Sequence, residues 1–321
     1  MSDTPFFSVV IPVYNKEPHI VRAINSVLNQ TFQDFELIIV CDPSTDNSNA
    51  EVAKFTDPRI RVFHRDQPGP GGYAARNLGI KEARGDWIAF LDADDEWYSE
   101  HLQCSSNTIK SFSDSKFLSS ARHSESDNKV DLDPFAKYQN TSTAFEMSFS
   151  DYLENASKGR RAVGTNSVVL RREFYKDEAI FPSGRANRTG DLYAWVICIA
   201  KAGGLTWSPH VASISYRDSV NMVSKNSMPS MSLNHEMVFE LKSKTNYKEL
   251  KLLNKYANRL IRTAYFEQKK ITGKTELGLL KAFYWRNDLA FCTFWFSLSL
   301  LPMRVLYAMQ NLKTGLKEKL R

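Results

Sequence analysis

In Leu91-Asp92-Ala93-Asp94-Asp95, three carboxylates fall within four residues. Crowded carboxylates repel one another, and a divalent cation such as Mn2+ or Mg2+, shared with phosphate oxygens, relieves that repulsion through hard oxygen ligands. The plainer reading is a solvated acidic turn whose aspartates cap the next helix. Other polar groups of interest stand at Tyr14-Asn15, with Glu17 just beyond, and at Asp42-Pro43-Ser44-Thr45-Asp46. Arg76-Asn77 follows the turn-forming run Pro68-Gly69-Pro70-Gly71-Gly72. A guanidinium such as that of Arg76 recognises phosphate or carboxylate through a planar fork. Ordinary readings exist for each: Tyr14 as a half-buried aromatic, Arg76 as a surface helix residue, Glu17 as a charge on a helix's first turn.

The elements that must position these groups are legible in the hydrophobic pattern. Apolar runs at Phe6 to Val13, Phe35 to Val40, Ile60 to His64 and Trp87 to Leu91 read as buried strands. Ile20, Ile24, Val27 and Leu28 recur at helical spacing, and Tyr73 to Ala83 also reads as a helix. Such alternation predicts a parallel sheet with helices on both faces, which binds ligands beyond the carboxyl ends of its strands. The polar groups above all follow predicted strands or open the next helix, so they are expected to converge on one edge. Further along, the Ser-rich stretch Ser119 to Asp133 reads as an exposed loop. Val163 to Leu170 and Thr206 to Tyr216 read as strands, Asp191 to Ala200 as a helix, and 232–270 as helical and basic.

The ordered motifs resemble those of glycosyltransferase family 2. They run Val10-Ile11-Pro12-Val13-Tyr14-Asn15, Asp42-Pro43-Ser44-Thr45-Asp46, Ala75-Arg76-Asn77-Leu78-Gly79 and Leu91-Asp92-Ala93-Asp94-Asp95. The resemblance implies an α/β GT-A fold, Rossmann-like and mostly parallel, that transfers a hexose or N-acetylhexosamine from a nucleotide sugar. It further implies that Pro12, Val13, Tyr14, Asn15, Glu17 and Ser44 lie at the nucleotide, with Asp42 accepting a bond from the base. Arg76 would lie beside the pyrophosphate or orient the acidic motif. Asp92, Ala93 and Asp94 would hold ribose and sugar, with Asp92 and Asp94 also taking the metal, and Asp95, Tyr216 and Arg217 would add substrate contacts. Two positions depart from the pattern: Cys41 replaces the first acid of an acidic pair, and Pro43 replaces a glycine. Cys41 is read as a small buried residue rather than a nucleophile.

Inverting transfer needs a general base for the acceptor hydroxyl, a task suited to Asp or Glu. In the family this base lies in a later Glu-Asp motif, and the matching segment here is Thr189-Gly190-Asp191-Leu192-Tyr193-Ala194-Trp195. Asp191 is therefore the expected base, with Gly190 replacing the first acid. Asp177 and Glu178 are its nearest rivals, and an aspartate at a helix start is also favoured by the helix dipole.

The bulk numbers suit this reading. The chain has 321 residues, 42% hydrophobic and 24% charged, enough for one large core or two moderate ones. Its net charge is +6, yet residues 242–321 hold 17 Lys or Arg against 5 Asp or Glu, a net of +12 that leaves −6 for the rest. A catalytic domain is expected at 1–231, with a nucleotide-sugar half at 1–100 and an acceptor half at 101–231, followed by a helical basic region at 232–321. Leu289 to Leu301 is apolar and aromatic, but its 13 residues fall short of the roughly 20 that span a bilayer. With Arg304, Lys313, Lys317, Lys319 and Arg321 beyond it, it suits an interfacial helix on anionic lipid, or a packing helix or dimer contact. Four scattered cysteines show no metal spacing, and the first residues show no secretory pattern, so a cytoplasmic place at the inner membrane face is expected. The resemblance adds a bacterial setting, a UDP-sugar donor and a glycan or lipid-linked acceptor. Rival readings are a non-catalytic nucleotide-sugar module, a nucleotidyltransferase and, disfavoured by the acidic body, nucleic-acid binding.

Overall fold

The two most apolar runs become neighbouring strands, β1 (Phe7–Val13) and β2 (Phe35–Cys41), paired in parallel with Val9 opposite Leu37. Every residue of β2 is buried, as expected of a strand covered on both faces. β3 (Ile60–His64) extends the parallel sheet beyond β2, and β4 (Trp87–Phe90) extends it beyond β1. The connections carry α1 (Ile20–Leu28), α2 (Ser48–Ala53) and α3 (Tyr73–Glu82). Because strand side chains alternate, Phe7, Val9, Ile11 and Val13 form one core with Ile20, Ala23, Ile24 and Val27 of α1. On the other face α3 approaches so closely that a Cβ on Gly79 would stand 2.3 Å from a methyl carbon of Val10. The computed structural model describes residues 4–220, 222, 227–274 and 278–308.

Beyond β4 the sheet changes direction. The remaining strands are β5 (Glu96–Trp97), β6 (Phe117–Ser126), β7 (Lys129–Leu132), β8 (Phe145–Ser148), β9 (Val168–Arg171) and β10 (Gly204–Tyr216). β9 is antiparallel to both β4 and β6, while β6 and β10 are parallel. The ten strands run β3-β2-β1-β4-β9-β6-β10-β5, with β7 on β6 and β8 on β10. Helices α4 (His101–Ser111), α5 (Pro134–Gln139), α6 (Phe149–Ser157), α7 (Arg172–Tyr175) and α8 (Gly190–Ala202) complete this region.

Two expectations need correction. Ser119 to Asp133 is not an exposed loop but the greater part of a hairpin, β6 and β7, and Ser119 and Ser120 are buried. The Ser119 hydroxyl is satisfied inside the sheet, bonding the Ala162 carbonyl at 3.0 Å and the Ser167 hydroxyl at 3.1 Å. A hydroxyl with partners can be buried, so polar composition misled the reading. Within Val163 to Leu170, only 168–170 is strand; Thr165–Ser167 forms a 3-10 turn instead.

The chain forms two compact units, Met1–Ser227 and Met228–Arg321. The second contains α9 (Ser232–Leu241), α10 (Tyr247–Thr272), α11 (Gly278–Ala282) and α12 (Leu289–Ser299). Asn246 and Glu249 form a reciprocal capping box at the start of α10, and Gly273 ends it in the left-handed conformation. The buried ammonium of Lys269 donates to the carbonyls of Ser299 and Leu301, satisfying the end of α12. Helix α12 buries Cys292 and Ser299, while Leu289 and Phe294 are exposed. Among the described residues no helix is long and apolar enough to cross a membrane. Lys313, Lys317, Lys319 and Arg321 lie outside the described residues.

Candidate active site

Since β1, β2 and β4 run parallel, the segments that follow them lie on one edge. After β1, Asn15 adopts a left-handed φ of 51°. Its amide donates to Ser44 Oγ at 3.1 Å, and its side-chain oxygen accepts from the Thr45 amide at 2.8 Å. The two loops predicted to contact a nucleotide are thereby tied together. Asp42 is buried and accepts from Arg65 Nη1 at 2.5 Å and from the Gly69 amide at 2.8 Å. Each carboxylate oxygen retains a further lone pair. Cys41 is buried, and its thiol is pushed up to about 11 by burial and by Asp42, so it stays protonated at neutral pH. The expectation of an inert residue agrees with that environment.

After β4, alternation sends the acidic side chains in different directions. Ala93 and Asp95 are buried, whereas Asp92 and Asp94 are partly exposed. Arg76, buried on α3, donates to Asp92 and to the Gly71 carbonyl at 2.7 Å. Lys16 Nζ pairs with Asp94 at 2.6 Å. Asp95 accepts from Asn166 Nδ2 and from the Tyr216 amide at 2.9 Å. Burial first, then the charges of Asp94 and Asp92, push its carboxyl up to about 7. The mutual repulsion anticipated for this cluster is thus relieved largely by Arg76 and Lys16.

Asp191 opens α8, and its charge interacts with those of Arg76, Asp92 and Arg161. Burial raises its carboxyl above the ordinary value of 3.8, with the two arginines opposing and Asp92 reinforcing the rise. The departure at Gly190 has a steric reason. A Cβ there would stand 2.7 Å from both Tyr73 Cζ and Pro182 Cγ, while the Gly190 amide donates to the Tyr73 hydroxyl at 2.7 Å. Tyr73 occupies space that a side chain at 190 would need.

The remaining predicted residues divide. Tyr14 is 43% exposed, and Pro12 is half-buried. Val13 and Ala93 belong to the hydrophobic core, so any ligand contact from them must come through backbone. Glu17 is held by the Asn47 amide at 3.0 Å and side chain at 2.9 Å, which stabilises the start of α2. Tyr216 bonds Glu96 at 2.9 Å and carries the Arg22 guanidinium 3.8 Å above its ring. Arg217 is exposed, with its amide on the Glu125 carbonyl at 2.8 Å. Glu178 pairs with Lys201 at 2.7 Å, and Asp177 is exposed. Lys16, Arg65, Tyr73 and Asn166 escaped the sequence reading. Asn166 organises the acidic turn from 74 positions away, accepting from the Asp92 amide at 2.8 Å, so no local pattern could have marked it.

Among the described residues no three His, Cys, Asp or Glu side chains form a metal-holding group. Asp92 and Asp94 are the available hard donors. Two carboxylates fit a divalent cation whose other ligands are phosphate oxygens and water.

The curled sheet with its flanking helices has the GT-A fold. Residues 8–120 of the chain match the sequence profile of glycosyl transferase family 2. It is 49% identical over 98 residues to an uncharacterised glycosyltransferase of Rickettsia felis, covering 30% of this chain and 16% of that protein. It is 40% identical over 101 residues to the UDP-Glc:alpha-D-GlcNAc-diphosphoundecaprenol beta-1,3-glucosyltransferase WfgD of Escherichia coli, covering 32% of this chain and 40% of WfgD. The match therefore spans well under two thirds of either relative. In fold it is similar to S. aureus TarS 1-349 in complex with UDP-GlcNAc, with a TM-score of 0.71 and 20% identity, covering 88% of this chain and 83% of that 1-349 chain. A mannosyltransferase of Pyrobaculum calidifontis, PcManGT, in complex with GDP-Man and Mn2+, is similar at a TM-score of 0.54 and 15% identity, covering 93% of this chain and 85% of that one.

Proposed function

We propose that this protein is an inverting glycosyltransferase that moves a sugar from a nucleoside diphosphate, by preference UDP, to a hydroxyl of a glycan or lipid-linked acceptor. The observation that carries this reading is the electrostatic interaction of Asp191 with the Arg76–Asp92 pair that follows the parallel strands. WfgD is a UDP-Glc transferase and TarS forms a complex with UDP-GlcNAc, which supports a UDP donor.

On this reading the loops after β1 and β2 hold the nucleotide. Asp42 accepts from the base through a lone pair left by Arg65 and Gly69, with Pro12, Tyr14, Asn15 and Ser44 around it. Asp191 takes the proton from the acceptor hydroxyl as it attacks the anomeric carbon, and a raised pKa makes it a stronger base for that step. Arg76, fixed by Gly71 and Asp92, presents positive charge without reorganising. A divalent cation held by Asp92 and Asp94 would supply charge to the departing diphosphate. The bond to the leaving diphosphate breaks as the acceptor bond forms, so configuration inverts and no sugar is attached to the enzyme.

For the second unit we propose contact with an anionic membrane surface from the cytoplasm. Leu289 and Phe294 are 66% and 58% exposed on α12, with Arg262 4.6 Å from the Trp295 ring and Arg259 5.6 Å from the Phe291 ring. An apolar face framed by cations suits lipid headgroups.

Screening nucleotide sugars for Mn2+-dependent hydrolysis tests the activity without an acceptor. Release of nucleoside diphosphate is expected. Release of pyrophosphate would make the protein a nucleotidyltransferase, and donor binding with no turnover towards any acceptor would make it a binding module.

A further inference from the structure

We propose that Lys16 is a built-in cation that occupies Asp94 in the resting site and must be displaced before a divalent metal binds there. The inference rests on the reading of Asp94 as a metal ligand. Lys16 Nζ lies 2.6 Å from Asp94 Oδ2 and 3.0 Å from the Val220 carbonyl oxygen. The two charged side chains are only 11% and 15% exposed, so solvent screens their attraction little. Asp92 is compensated by Arg76, and Asp95 by the amide donors of Asn166 and Tyr216. Arg22 reaches the Asp94 carbonyl rather than its carboxylate. Lys16 is therefore the cation in contact with the Asp94 carboxylate among the described residues.

An ammonium in hydrogen-bond contact with a carboxylate leaves poor room for a second, doubly charged cation on the same group. The two basic residues of the site also differ in freedom. The Arg76 guanidinium is anchored at both ends, whereas an ammonium on a flexible four-carbon stem can swing away. Displacement would also release the Val220 carbonyl, loosening the tie between the β1–α1 loop and the segment after β10.

The test is Mn2+ binding to the full chain without donor, followed by calorimetry. Lys16→Met should bind Mn2+ more tightly than wild type, by at least about fivefold, the lower end of ordinary couplings between competing ligands. Lys16→Gln serves if Lys16→Met does not fold, and Lys16→Arg, which keeps the charge, should retain the weak wild-type affinity. Adding Asp94→Asn should abolish the gain. Equal or weaker binding by Lys16→Met or Lys16→Gln overturns the inference, as does tight binding by Lys16→Arg. If Asp94→Asn weakens Mn2+ binding in the wild-type background, the metal reading survives that failure. If Asp94→Asn changes nothing in either background, the metal reading and the inference fall together.

Discussion

Burial holds the Asp191 carboxyl above the 3.8 of an exposed aspartate, with Arg161 and Arg76 limiting the rise. A base works in its deprotonated form, so activity should be present above this raised value and lost as pH falls through it. The acidic limb of the kcat/KM profile should therefore lie above the range of an ordinary aspartate. Asp191→Asn should leave nucleotide affinity near wild type and lower transfer by at least ~100-fold, the usual scale of a lost general base. Retained transfer would move the role to another acid. Glu36 illustrates the opposite balance far from the site. Burial would raise its carboxyl, but the Ser8 hydroxyl at 2.6 Å, Arg61 at 2.7 Å and the Arg84 amide at 2.7 Å hold it below its ordinary value of 4.5. A depressed carboxyl stabilises the fold above its unfolded pKa and loses that contribution as pH falls through the folded one. Glu36→Gln should cost about 1–3 kcal/mol at neutral pH by denaturant unfolding, and the difference should close in acid.

The β1–α3 contact sets how close the arginine-bearing helix comes to the sheet. Gly79 lets α3 lie directly on Val10, which brings Arg76 to Asp92 beyond the end of β4. Gly79→Ala gains helix propensity but forces a methyl group into Val10. A net loss of about 1–3 kcal/mol is expected, as for other overpacked cores. Val10→Ala in the same chain should recover much of it, and additive losses in that double-mutant cycle would show that the contact is not the cause. At the start of α8 the same logic predicts that Gly190→Glu, which supplies the family's usual acid, disturbs Tyr73 and Pro182 and lowers thermal stability.

At the scale of the molecule, a net charge of −6 before residue 242 and +12 from there on separates the part that carries the candidate chemistry from the part proposed to meet lipid. Replacing Leu289 and Phe294 together by Glu removes two exposed apolar side chains, each worth roughly 1.5–3 kcal/mol if fully buried in lipid. Co-sedimentation with phosphatidylserine vesicles should fall at least ~10-fold, while hydrolysis of soluble donor continues. Raised salt should weaken the wild-type interaction only in part, because apolar burial is not screened. A wild-type chain that ignores such vesicles would assign α12 a packing role instead.

Amino-acid order alone determined the four parallel strands, their helices and the motifs that follow each strand. Those features are local: hydrophobic period specifies an element, and parallel direction then places every carboxyl end on one edge. The loops after β1 and β2, Arg76 and the acidic turn were legible for that reason, whereas Asp191 was singled out by the family resemblance. Tertiary structure alone decided which charge answers which. Lys16 on Asp94, Asn166 beneath Asp92 and Asp95, and Tyr73 against Gly190 join residues 71 to 117 positions apart. It also decided that Ser119 and Ser120 of β6 lie inside the sheet, because a buried hydroxyl needs only a partner, and that partner is supplied by chain closure rather than by neighbouring sequence.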